Sequence, residues 1–405
     1  MKRSSIGEVF VNWTDLRDDD IDGDQYFQKI DINGDVQWED GVQLHIASEY
    51  DFSARFTAGA NGDLHVVYEL GTFPEVDIIF QNISVEGNLS INNPLNISSN
   101  EGYQFSPNIL GNIDSGLYLI YADQGSGSID LRVQKIDSNL STEWESGGLV
   151  AMNGLDGDVN FTNNFRVDEE DFFLVWEDNR SSKKLYGTRI TNENSQVLNG
   201  AQLTYSDNSS QETDSSTPVF IKTNDAIYTA TFDGSSSPKF IRINKINDNL
   251  NNEWGLSGIA LTPEQDMRSA FLIAMDDGVG CFWSESRGFN YDIYYQKLDS
   301  QGNIEMVAGG IEMIDGNGDD YVMAIVPSND EKFFMFWVED AWPAAKLMYT
   351  KIDSEGNVEV GWNPNGNNLS DVNTDARNLE VKIIDEENGL LAVWTQSNLN
   401  GASIL

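Results

Sequence analysis

One phrase recurs along this chain: an aromatic, an acid, a loop, and a short strand ending in a basic residue. Residues 282–303 read FWSESRGFNYDIYYQKLDSQGN, residues 175–194 read VWEDNRSSKKLYGTRITNEN, and residues 336–357 read FWVEDAWPAAKLMYTKIDSEGN. Aligned on the aromatic, the anchors are Trp13, Tyr68, Tyr121, Trp176, Phe232, Trp283, Trp337 and Trp394, spaced by 55, 53, 55, 56, 51, 54 and 57 residues. A second register follows 13–16 residues behind, at Lys29, Asn82, Lys135, Arg189, Lys245, Lys297 and Lys351. A period of this size means one supersecondary unit per copy, each burying its apolar surface against its neighbours.

Every copy holds four short runs with strand character, bounded by turn residues. Around Trp176 they are residues 160–167, 172–178, 184–191 and 196–204, with helical periodicity nearly absent. Four strands in about 50 residues is the requirement for a β-propeller blade, a twisted antiparallel sheet covered on both faces only by adjacent blades. The expectation is therefore an all-β, single-domain propeller over residues 1–405, with repeats starting near 8, 63, 116, 171, 226, 278 and 331 and a partial one near 389. About seven four-stranded blades are expected, the ring closing if residues 378–384 (NLEVKII) supply the first strand missing from the first copy; the alternative, eight, requires a final blade of three strands. The anchor aromatics are expected to wedge between adjacent sheets, as are the later Trp38, Trp144, Trp254 and Trp362.

The formal charge is -42, from 66 acidic residues against 24 Lys and Arg. Phosphate backbones and anionic membranes are disfavoured as partners, since both need a basic footprint. No apolar run approaches the roughly 20 residues of a membrane span, so a soluble protein without membrane insertion is expected. The lone Cys281, in the strand-like GVGCFW, rules out an internal disulfide framework and reads as an inert core residue. The start MKRSSIGEVF has no apolar signal-peptide core.

The unit that runs from Trp283 to Asn303, and more loosely from Trp13 to Asp35 and from Trp176 to Asn194, resembles the repetitive β-propellers of bacterial secreted and cell-surface proteins. The resemblance covers the whole chain. It implies export to the extracellular space or cell surface, in many members by a signal peptide and a type IX sorting tail. Neither is seen here, so export is expected only if those ends lie outside this sequence, either as a monomer or as part of a larger multidomain chain. The resemblance implies no catalytic motif.

In a ring of such blades the loops between second and third strands share one face with the blade-to-blade links, and tight turns occupy the other. Function is expected on the loop face, whose segments 15–25, 153–158, 206–216, 315–320 and 371–376 are densely acidic. Asp18, Asp20, Asp22 and Asp24 match the first half of a calcium loop, with Gly23 at the turn. The acid expected at position twelve is replaced by Lys29, which leaves a solvated acidic loop as the other reading. Asp315, Asn317 and Asp319 repeat the spacing more weakly, whereas DINGD at 31–35 aligns with the hairpin turns DSQGN and DSEGN.

Arg17, Arg180 and Arg287 each follow an anchor aromatic by four residues. Three arginines on one face could clamp a carboxylate ligand; the plainer reading pairs each with Asp15, Asp178 or Glu285 to brace its own loop. No zinc, P-loop, dinucleotide or nucleophile-elbow motif is present, and no catalytic residue is assigned. The leading expectation is a non-catalytic extracellular binding, adhesion or display propeller, bracketed by calcium and recognising a glycan or surface protein. The alternatives are a glycoside hydrolase or lyase using carboxylates at the ring mouth, and a structural spacer.

Overall fold

The computed structural model describes residues 2–3, 7–15, 24–44, 51–59, 61–90, 94–98, 101–112, 116–125, 127–155, 159–166, 171–178, 183–191, 200–204, 219–223, 226–233, 240–261, 267–314, 316, 318–328, 330–341, 344–370, 375–383, 389–398 and 401–404. These form β-strands, turns and bends without a helix, and no helix is long and apolar enough to cross a membrane. The strands fall into eight antiparallel sheets, each a meander in chain order; seven have four strands and the last has three. That unit is the propeller blade, and the chain is an all-β protein of the β-propeller class.

The chain divides into two compact units, residues 1–180 with 185–202, and residues 181–184 with 203–405. The first unit holds sheets 1–4, whose second strands are Val9–Asp15, Leu64–Thr72, Gly116–Asp123 and Phe172–Asp178. The second holds sheets 5–8. Sheet 5 has Ile227–Phe232 as its second strand; sheet 6 comprises Met267–Ala274, Val279–Glu285, Asp292–Leu298 and Ile311–Ile314. Sheet 7 comprises Asp319–Pro327, Phe333–Ala341, Ala344–Ile352 and Asn367–Asn368. Sheet 8 comprises Asp375–Ile383, Leu390–Asn398 and Gly401–Ile404.

The strand around NLEVKII does not complete the first copy. It opens sheet 8, pairing Val381 with Ala392, while Lys2–Arg3 pair with Val9 and Phe10 in sheet 1. The partial eighth copy thus keeps its own first strand, because the hairpin from Ile383 to Leu390 joins sequence neighbours, the lower-entropy connection.

The anchor aromatics fill the space between consecutive sheets. Trp283 packs with Tyr228, Ile243 and Leu261 of sheet 5; Trp337 packs with Phe282, Ile293 and Tyr295 of sheet 6. In the first unit Tyr68 joins Phe10 and Phe27, and Trp176 joins Tyr118 and Val133. Trp176, Trp283 and Trp337 are fully buried. In three copies the indole N–H is met by an acid or amide two residues on: Trp13 donates to Asp15 at 2.9 Å, Trp283 to Glu285 at 2.8 Å and Trp394 to Gln396 at 3.3 Å. At Trp13 and Trp283 the aromatic-x-acid motif is thus an apolar wedge whose single donor is satisfied inside its own strand.

In sheets 1 and 5 the second register clasps the sheet to the next. Lys29 Nζ and Trp38 Nε1 both donate to the Val85 carbonyl, at 3.1 and 3.2 Å, and Lys245 and Trp254 both donate to Ser300 O, at 3.2 and 3.4 Å. Trp362 departs from this register. The repeated backbone bond from the residue after the clasp strand places Val360, not Trp362, at the Trp38 position, and Trp362 packs edge-on against Phe334 and Tyr349.

The DSQGN-type segments are hairpin turns, as their alignment predicts. Asp299 Oδ1 accepts from the Gln301 and Asn303 amides at 3.0 and 2.8 Å, and Asp31 Oδ1 does the same for Asn33 and Asp35 at 2.9 Å. These amides hold the Asp31 carboxyl below the usual range. Cys281 is buried, and burial pushes its thiol up, away from the reactive thiolate.

Candidate functional site

In six of the eight sheets, at the end of the first strand opposite the tight turns, the register shifts by a bulge. Ser53, Ser106, Ser269 and Asn378 take left-handed φ values of 55°, 53°, 52° and 56° at these shifts in sheets 2, 3, 6 and 8. A bulge bends a strand and re-aims the side chains beyond it. In sheets 3, 6 and 8 the strand beyond the bulge then pairs with the acid or amide two residues after the anchor aromatic on the second strand.

The pairs at this position are informative. Gln104 faces Asp123 and donates to it at 3.2 Å; Met267 faces Glu285, and Ala376 faces Gln396. Sheet 7 differs, because Asp320 faces Glu339. Two carboxylates directly opposite repel when both are charged. Asp320 is 0% exposed, and neither of its side-chain oxygens meets a donor in hydrogen-bonding geometry, although the Trp337 indole and the Gly316 amide lie near enough to favour its charged form. Burial, then the charges of Glu339 and Asp292, push its pKa up to about 7. Asp320 is therefore partly protonated at neutral pH.

The surroundings are built around it by backbone and aromatic contacts. The Asp320 amide donates to Tyr291 O at 2.6 Å, and the Val322 amide donates to Ser284 Oγ at 3.4 Å. Tyr291 and Tyr321, both half-buried, lie with ring centroids 5.5 Å apart, and the guanidinium of exposed Arg268 lies 4.6 Å over Tyr291. Lys346 donates to Glu339 Oε1 at 3.5 Å. Burial and the Asp319 charge raise the Tyr321 phenol to about 12, which keeps it a neutral donor. Phe289, in the loop of sheet 6, is 105% exposed.

The residues singled out from sequence fall as follows. Arg287 donates through Nε to Glu285 Oε1 at 3.0 Å and through Nη2 to Oε2 at 2.9 Å, reaches the Gly309 carbonyl, and lies 3.8 Å over the Tyr294 ring. Glu285, fully buried, also accepts from Trp283, so this pair braces its loop. Asp319 spends Oδ1 on the Tyr291 amide at 2.9 Å and Oδ2 on the Tyr321 hydroxyl at 3.2 Å. Asp24 opens the third strand of sheet 1 opposite Asp15. Arg17, Asp18, Asp20, Asp22, Arg180, Asp315 and Asn317 lie outside the described residues, as does the side chain of Asp178. Among the described residues no group of three or more His, Cys, Asp or Glu is arranged to hold a metal.

Sequence reading missed Asp320 and Glu339 as a pair. The usable signal was the departure of DDYV from the residues that begin the other first strands, which becomes visible only once strand register is known.

The chain matches no protein-family model and no curated relative. Among solved structures it is similar to a polysaccharide lyase described as an ulvan lyase, at 12% identity and a TM-score of 0.47 over 86% of this chain and 88% of that one. It is also similar to the α-L-arabinanase of Penicillium chrysogenum complexed with arabinobiose, at 11% and 0.39 over 88% and 93%. The acylaminoacyl peptidase of Pyrococcus horikoshii is similar at 9% and 0.44, over 98% of this chain and 57% of that one. Identities and TM-scores this low transfer no activity.

Proposed function

We propose that this chain is an extracellular glycan-acting protein whose working group is the Asp320–Glu339 pair. The observation that carries the reading is the placement of two carboxyls face to face where sheets 3 and 6 place an acid against an amide or an apolar residue. In this reading the half-buried Glu339 meets the sugar, and Asp320 behind it stores the proton that a departing glycosidic oxygen needs. A carboxyl poised near neutral pH is suited to general-acid work. Tyr291 and Tyr321 supply flat apolar faces of the kind on which pyranose rings stack.

The test is incubation with a panel of neutral and acidic polysaccharides, following reducing ends and unsaturated products. Wild type should depolymerise at least one polymer, and Asp320→Asn and Glu339→Gln should each lower the rate by about a hundredfold, the usual scale for loss of a general acid. Saturable binding without turnover, unchanged in both variants, would sink the catalytic role and leave the recognition module expected from sequence; no binding at all would sink both. Calcium at Asp18, Asp20, Asp22 and Asp24 belongs to the same proposal, supported by the alternation of oxygen ligands. Calcium added to EDTA-treated protein should raise the thermal midpoint by mass action, and identical melts would remove the ion from the account.

A further inference from the structure

In sheet 2 the loop between the second strand, Leu64–Thr72, and the third, Glu75–Ile83, carries an outward ring. That ring is Phe73, 75% exposed. A lone exposed apolar side chain is ordinary on a protein surface, and Phe289 is one, with no ring contact among the described residues. Phe73 differs because a relay of rings holds it. It meets Tyr103 edge-on with centroids 5.7 Å apart, and Tyr103 stacks flat on Phe105 at 4.8 Å with 11° between the planes. Tyr103 and Phe105, at the start of the first strand of sheet 3, are half-buried and so anchor the relay.

The backbone around the relay is fixed as well. Gly71 turns the hairpin at φ +128°, where an added Cβ would lie 2.5 Å from Glu75 O. Glu75 Oε2 accepts from the Gly102 amide at 3.0 Å, and the Val76 amide donates to Gly102 O at 3.3 Å. The Gln124 amide donates to Tyr103 O at 2.9 Å, and past Phe105 the Ser106 amide donates to the buried Glu69 at 2.9 Å, tying sheet 3 to sheet 2. These bonds bring Glu75, Glu101 and Gln124, all exposed, to the segments that carry the rings. The side chains of Glu101 and Gln124 have no hydrogen bond or ion pair among the described residues.

Two features select a ligand. The parallel Tyr103–Phe105 stack leaves no gap for a cation to enter between its rings, so the aromatic surface is a platform and not a cage. The two carboxylates beside it only accept hydrogen bonds, which suits a partner rich in hydroxyl donors and free of negative charge. A neutral sugar offers both, with an apolar C–H face to lie on the ring.

We infer that Phe73 is the stacking platform of a second glycan subsite, which takes a neutral sugar of a polysaccharide chain on its open ring face, with the hydroxyls directed to Glu75 and Glu101. The inference rests on the glycan reading above but not on its chemistry: Phe73 belongs to the first unit of the chain and the Asp320–Glu339 pair to the second. The subsite holds polymer and turns nothing over.

The test is native electrophoresis of the full chain through gels containing hydroxyethylcellulose, arabinoxylan, galactomannan or laminarin, with alginate as the anionic control. At least one neutral polymer should retard the protein, and alginate should not. Phe73→Ala should weaken that retardation at least tenfold with an unchanged melt, and Phe73→Leu, apolar but not flat, should do the same. Phe73→Trp should bind at least as tightly as wild type. Retardation unchanged in Phe73→Ala would overturn the subsite while leaving the glycan reading in place, and full binding by Phe73→Leu would overturn the stacking platform. No retardation by any neutral polymer, or equal retardation by alginate, would also overturn the subsite, whereas turnover of an acidic polymer lost in Asp320→Asn would still support the catalytic pair.

Discussion

Replacing Asp320 with Asn should make this protein more stable at pH 8 by about 2–4 kcal/mol, each pKa unit being about 1.4 kcal/mol, while removing the proton that the proposed chemistry uses. In the unfolded chain Asp320 ionises near its ordinary value, and in the folded chain only near 7. Between about pH 4 and 7 the unfolded state therefore releases a proton that the folded state keeps, so stability falls across that window and stays lower above it. Asn carries no such linkage, and its amide can donate to Glu339 as Gln104 donates to Asp123 in sheet 3. Urea midpoints for both proteins from pH 5 to 8.5 should diverge as pH rises; parallel curves would mean that Asp320 ionises normally. A gain in stability with a loss of turnover would mark the pair as a strained functional feature rather than a packing accident.

Gly310→Ala should cost about 3 kcal/mol or more, while Gly34→Ala should cost about 1 kcal/mol, although both glycines have left-handed backbone. Gly34 has φ +88° and nothing within 4 Å of an added Cβ, so only the backbone penalty applies. Gly310 has φ +76°, and its Cβ would meet Trp283 Cη2 and Tyr295 O, each at 2.6 Å. Trp283 is fully buried between sheets 5 and 6, so its ring cannot give way without opening that core. Gly41 against Trp13 and Gly366 against Trp337 show the same approach, at 2.9 and 2.2 Å. Equal urea midpoints for the two alanine variants would show that the indole edge yields.

Much of the architecture was legible because its determinants are local and repeated. An aromatic that must wedge between sheets leaves the same mark in every copy, and so does an Asp that caps a hairpin turn through its own side chain. The acid after the aromatic was also visible, and its neighbour Arg287 reads as the local brace that the sequence allowed for. Charge alone could not separate Asp319 from Asp320. One is spent on Tyr291 and Tyr321, and the other is buried opposite Glu339.

Sequence by itself determined the sheet as the repeating unit, the wedge positions, the turn chemistry and an acidic surface, since period-2 burial and turn propensity act within a few residues. Tertiary structure alone decided that NLEVKII opens its own sheet, and that Asp320 and Glu339 face each other across 19 residues of chain. The reason is register: a shift of one residue turns a strand's side chains to the opposite face, and the bulge that fixes it here belongs to the paired strands, not to either strand's sequence.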